Sequence, residues 1–172
     1  GLVLILPAIG LGQAALSMLG AAMAQGNKEQ VIKWSKLILY SGVLSVSILA
    51  LFVGHTAPWL AKLLLINREL QQLTIEALPW YAMAMVLEAV IIILSRFVLL
   101  SGYRKTVLVI MGSSQWLVFL PLLYWLAPNY GFMTVWWLHV GYRLVTIFCL
   151  WWMWRRFIKS PLIGQISTFN KE

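Results

Sequence analysis

Four long stretches of this chain are almost without charge, and that constrains the fold more than any motif does. Gly1 to Asn27 and Leu37 to Ala61 carry no charged side chain. Ala77 to Tyr103 holds only Glu88 and Arg96, and Thr106 to Tyr142 again has no Lys, Arg, Asp or Glu. About 20 apolar residues in a helix cross the ~30 Å hydrocarbon core of a bilayer, so each stretch is long enough to span. The composition fits this reading. Hydrophobic residues make up 62% of the chain and charged residues 10%, with mean hydropathy +0.86, where a soluble domain carries about 25% charged residues. Period-two alternation is absent, which disfavours a membrane β-barrel.

The last stretch is too long for one span. "APNYG", Ala127 to Gly131, contains turn residues and divides it. The expectation is an all-α integral membrane protein with five transmembrane helices, at about 2–25, 35–60, 77–101, 106–127 and 131–156. Residues 159–172 follow as a polar tail. "WLAKLLLINREL", Trp59 to Leu70, reads either as a surface helix or as an extension of the second span. The chain opens on Gly1 without a basic n-region, unlike a signal peptide, and reads as a fragment or truncation.

The net charge of +8 would suggest nucleic acid in a soluble protein. Here the cations lie between apolar runs, so anionic membrane lipid is the expected partner and nucleic acid is not. Lys28, Lys33 and Lys36 lie in the first connection, Arg104 and Lys105 in the third, and Arg155, Arg156, Lys159 and Lys171 at the end. The even connections carry only Lys62 and Arg68. The positive-inside rule then puts the first and third connections and the C-terminus in the cytoplasm. Trp59, Tyr81, Trp125, Tyr130 and Trp151 to Trp154 lie where interfacial anchors are expected. Cys149 stands alone, so no disulfide forms within the chain, and it reads as an inert buried thiol.

Chemistry concentrates in a few polar residues within the spans. Glu88 lies near the middle of the third span, where inserting a carboxylate costs roughly 2.5–3.5 kcal/mol. Such an acid is a candidate for binding a proton or cation and releasing it on the other side. The alternative is a structural, ion-paired glutamate. Arg96, two turns further on, reads as a side chain that reaches the interface. Arg143 in the last span has nearly the same depth as Glu88, and His139 precedes it by one turn. The three make a candidate cluster, set against a reading in which His139 and Arg143 merely bond backbone or lipid. Gln13 and Ser17 form a polar pair on the first span, as cavity lining or as a helix contact. Gly10 with Ala14 and Gly20 with Ala24 are small-residue pairs of the kind that let membrane helices approach. "GSSQW", Gly112 to Trp116, adds Gln115 and Trp116, whose ring offers a π face to a cation. Tyr142 completes the cavity candidates, and Pro121 is expected to bend its helix. No nucleotide loop, CxxC, HExxH or Ser/His/acid set occurs, and His55 and His139 lack metal-ligand spacing. An enzyme, a cofactor and a metal site are not expected.

Three segments resemble the multidrug and toxic compound extrusion (MATE) transporters. "PAIGLGQAALSMLGAAMAQGNKEQ", Pro7 to Gln30, is similar to the glycine- and alanine-patterned second helix of each family lobe. "LLSGYRKT", Leu99 to Thr106, resembles the family's L-R-G-x-G/K-D-T loop, with Ser101 and Lys105 in place of its Arg and Asp. "WLVFLPLLYWLAPNYGFMTVW", Trp116 to Trp136, resembles its W-x-x-x-x-P-L-x-Y-x-L stretch. The order and spacing of the three fit as well. The resemblance implies that residues 1–158 are family helices eight to twelve, an incomplete C-terminal lobe whose N-terminal partner lobe lies elsewhere. It implies antiport of H⁺ or Na⁺ against small organic, often cationic, substrates in a bacterial inner membrane. Glu88 would be the coupling or substrate-binding acid. A flippase for lipid-linked saccharides and an inactive truncated product are the alternatives.

Overall fold

The computed structural model describes residues 2–64, 67–131 and 133–159. The described residues fold into helices: α1 (Leu2–Ala24), α2 (Lys28–Leu64), α3 (Arg68–Leu100), α4 (Arg104–Ser113), a π-helical segment (Ser114–Phe119), α5 (Leu120–Tyr130) and α6 (Met133–Lys159). With α4, the π segment and α5 taken as one bent rod, five long helices result. Four of these meet both the length and the apolarity needed to cross a bilayer. The 27-residue α6 matches them in length, but its tryptophans, Arg143 and His139 lower its hydropathy. It packs along α3 through most of its length.

Two helices run well past their apolar runs. α2 begins at Lys28 rather than near residue 35, and α3 begins at Arg68 rather than near residue 77. Lys, Glu, Gln and Arg are good helix formers, so the backbone stays helical after the side chains turn polar. Trp59 to Leu64 is therefore a continuation of α2, while Asn67 starts α3 by accepting a hydrogen bond at Oδ1 from the Glu69 N–H, 2.9 Å. The division after the fourth rod also moves. Ala127 and Pro128 stay inside α5, and the break falls at Gly131, whose φ of +77° suits glycine and few other residues. The tail from residue 160 onward, with Lys171, lies outside the described residues.

The turn between α1 and α2 is tight. Gly26 takes φ +66°, its N–H donates to the Met23 carbonyl, and the Asn27 N–H donates back to Ala22. This is the Schellman ending of a helix. Asn27 then caps α2, its Oδ1 accepting from the Gln30 N–H at 3.1 Å, so one residue ends one helix and starts the next.

α3 sits at the centre, packed against α1, α2 and α6. Buried positions accordingly occur around most of its circumference, Ala84, Ala89, Ile93, Leu94 and Phe97 among them. The face of α1 that packs on α2 and α3 is Ala8, Gly12, Ala15, Leu19 and Ala22. It is not the expected set of Gly10, Ala14, Gly20 and Ala24, of which Gly10 and Ala24 are exposed. The helix carries small residues on more than one side and has no charge to mark which side is outer. Gly12 makes room for α3: a Cβ there would lie 3.2 Å from Cγ of Arg96. Arg96 thus lays its side chain across α1, with Nε also close to Gly12. Gly42 of α2 likewise faces Ile93, whose terminal carbon would overlap an added Cβ.

The main core lies towards the end of the bundle that carries Lys28 to Lys36, Arg104 and Arg155. It joins Leu19, Val31, Phe97, Val107, Leu150 and Trp154. Towards the other end the helices separate, and a cavity of about 750 Å³ opens between α2 and α3 beside His55, Pro58 and Pro79. Gly42→Leu is expected to destabilise the bundle by about 1–3 kcal/mol through overpacking. Gly54→Leu, with open space around it, should cost less than about 0.5 kcal/mol. Unfolding in detergent, followed by circular dichroism, measures both.

Candidate functional site

α3 and α6 run in the same direction. Contacts pair Trp80 with Trp137 at 4.5 Å between ring centres, then Glu88 with Arg143, then Phe97 with Trp154 at 5.2 Å. The sequence separation hardly changes along this series, as parallel helices in register require. That register brings together the two charges whose depths matched in the sequence.

Arg143 Nε lies 3.1 Å from Oε2 of Glu88. The Nη1 group of the same guanidinium donates to the carbonyl of Ala84, one turn earlier on α3. The Nε–H has no acceptor aligned for a hydrogen bond, so its contact with the carboxylate is Coulombic rather than directed. The two partners differ in access. Arg143 is only 5% exposed, whereas the Glu88 side chain keeps 24% of its surface. Glu88 stands 12 residues before the end of α3, about 18 Å along the axis. This is mid-membrane depth if the basic end lies at the interface.

One aromatic ring lies beside the guanidinium, and a chain of others continues from it. Its Cζ is 5.8 Å from the centre of the Tyr142 ring. Tyr142 packs against Phe119 at 4.9 Å and against His139 at 5.3 Å. His139 meets Phe119 at 5.4 Å and Trp136 at 6.1 Å, and Trp136 meets Tyr81 edge-on at 6.1 Å. Most of these contacts are tilted or edge-to-face, the geometry that ring quadrupoles favour.

Phe119 reaches this cluster from the end of the π segment. Pro121 has no N–H to offer the carbonyl one turn back, and its ring crowds that carbonyl. The backbone widens ahead of it, and the Leu120 N–H donates to Gln115. Such bulges often sit at functional positions. The expected bend at Pro121 therefore takes the form of an extra residue in the turn.

The other sequence candidates are distributed as follows. His139 and Tyr142 join Arg143 in the ring cluster, both half-buried. Gln115 and Trp116 are exposed on the π segment, Trp116 at 68%. Gln13 and Ser17 are exposed on α1, and the Ser17 hydroxyl donates to its own helix at Ala14, 2.9 Å. Sequence reading missed Ala84, Phe119 and Trp136, and gave Tyr81 only the role of an interfacial anchor. Ala84 acts through its carbonyl, which no side-chain pattern reveals. Phe119 and Trp136 fell within a motif but had no reason to stand out from their apolar neighbours. Among the described residues no three His, Cys, Asp or Glu side chains are grouped to hold a metal ion.

Chemically the pair has one adjustable member. A guanidinium keeps its proton, so only Glu88 can change charge. Protonation of Glu88 would remove the attraction that holds Arg143 to it and leave Arg143 on the Ala84 carbonyl and the Tyr142 ring. Glu88→Ala is expected to cost about 3–5 kcal/mol, because it strands a buried cation. Arg143→Met should cost less, since the remaining carboxyl keeps 24% of its surface exposed. The double variant Glu88→Leu/Arg143→Met should recover most of the loss, and a double-mutant cycle of unfolding free energies checks all three.

The family model MatE matches residues 2–125 of the chain. No curated protein and no solved structure matches it.

Proposed function

Because the chain belongs to the MatE family of membrane transporters, we propose that it is part of a secondary antiporter that expels small organic cations in exchange for H⁺, with Glu88 as the coupling acid. Family members are transporters rather than enzymes, and the helices here make a multi-pass membrane protein. The finer reading rests on one observation. A partly exposed carboxylate faces a buried guanidinium at 3.1 Å, inside an otherwise apolar bundle.

In this reading a proton and Arg143 compete for Glu88. When Glu88 is charged, the pair ties α3 to α6. When it is protonated, the tie is lost and the two helices can change their packing. A bistable contact of this kind is what alternating access needs, since a ligand shifts an equilibrium only by binding its two states unequally. Na⁺ is the less suited ion. It would have to displace Arg143 and also find several oxygen ligands, whereas a proton needs only the one carboxylate. Organic cations suit the aromatic sleeve of Tyr142, Phe119 and Trp136 and the exposed ring of Trp116. Gln13, Ser17, Gln115 and His139 would line the path.

The topological proposal follows the charges. The basic end of the bundle faces the cytoplasm, and the looser end, with the cavity beside His55, faces outwards. The helices correspond to family helices eight to twelve, and the substrate path is completed by a second lobe. Alternating access then moves one lobe against the other around a site near the midplane. The lipid-linked saccharide flippase is less well supported. It calls for free cations facing a pyrophosphate, and Arg143 is already engaged by Glu88 and Ala84.

Glu88→Gln, introduced into the protein at its natural length, is expected to lower dye efflux and drug resistance at least tenfold while membrane expression stays unchanged. Unaltered resistance would remove Glu88 from coupling. Transport of a lipid-linked saccharide, but not of dye, by the wild-type protein would transfer the assignment to the flippase.

A further inference from the structure

At the basic end, α2 and α6 leave a cavity of about 350 Å³ between them. Its walls carry Lys36 from α2 and Arg155 and Lys159 from α6, with Ser35 beside them and no acidic residue in the lining. Its floor is Phe97 and Trp154, which are 1% and 2% exposed. The two walls repeat one arrangement. Tyr40 stands one turn deeper than Lys36, and Trp151 one turn deeper than Arg155, because α2 leaves the basic end and α6 arrives at it. Tyr40 is 73% and Trp151 40% exposed, and Arg155 is held with Cζ 5.8 Å from the Trp151 ring.

Tyrosine and tryptophan settle at the headgroup level of a bilayer. Cations one turn beyond them lie at the level of lipid phosphate, and the apolar floor continues into the acyl region along Leu39. We infer that this cavity binds the phosphodiester headgroup of an anionic glycerophospholipid, with Lys36, Arg155 and Lys159 on the phosphate and Tyr40 and Trp151 flanking the glycerol and upper acyl chains. Basic pockets between membrane helices recognise anionic headgroups by this chemistry. The site is separate from Glu88 and does not depend on the transport reading.

The bound lipid is measured by native mass spectrometry of the protein at its natural length, released from phosphatidylglycerol bilayers. Lys36→Gln/Arg155→Gln/Lys159→Gln is expected to lower phosphatidylglycerol retention by about fivefold per cation, roughly a hundredfold in all. Lys28→Gln/Lys33→Gln, which removes two cations of the same end that do not line the cavity, should leave retention unchanged. A second measurement needs no variant. Short-chain phosphatidylglycerol should raise the Tm of the wild-type protein in detergent, and phosphatidylcholine of the same chain length should not. Inorganic phosphate alone should have no effect. Equal retention in the triple variant, equal loss in the Lys28/Lys33 control, or equal stabilisation by phosphatidylcholine or inorganic phosphate would each overturn the assignment.

Discussion

A guanidinium inside a bilayer cannot shed its charge, and the bundle is arranged around that constraint. Once α6 carries Arg143 into the apolar layer, something must face it at the same depth. α3 supplies both a carboxylate and a backbone carbonyl, Glu88 and Ala84, one helical turn apart. Their spacing along α3 fixes how far α6 can slide. The tryptophan contacts above and below, Trp80–Trp137 and Phe97–Trp154, keep the same register. α3 must then pack on all sides, and its buried positions do run around most of the helix. The other helices are placed by what α3 leaves free.

The membrane solvent explains why so much of the remainder is regular. Lipid offers no hydrogen bonds, so each backbone amide must be satisfied within its own helix. Among the described residues, most departures from regular helix sit beside proline or glycine, with Asn67 at the start of α3 as an exception. Pro121 is followed back by the π segment, Gly26 and Gly131 take positive φ, and Gly12 and Gly42 mark close approaches.

The sequence made the helices legible because absence of charge over 20 or more residues has one ready meaning. It made the depth of Glu88 and Arg143 legible because rise per residue is fixed, and the structure shows the two in contact. Helix ends were misjudged where polar residues such as Lys28 and Arg68 favour helix as much as the span does. The packing face of α1 was misjudged for a different reason. In a helix without charge, hydrophobicity does not separate inner from outer sides, so Gly10 and Gly12 are indistinguishable until α3 is in place. Ring contacts such as Phe119–His139 depend on the extra residue in the π segment. A single sequence reveals the proline that causes it but not the rotation that results.

The turn at Gly26 and Asn27 bears on how the assembly can move. With one glycine and one shared cap between them, α1 and α2 have no slack in their connection. The corner is closed by backbone hydrogen bonds on one side and the Asn27 cap on the other. Any change in the angle between α1 and α2 has to pass through these two residues, and it would first have to break the hydrogen bonds that end one helix and begin the next.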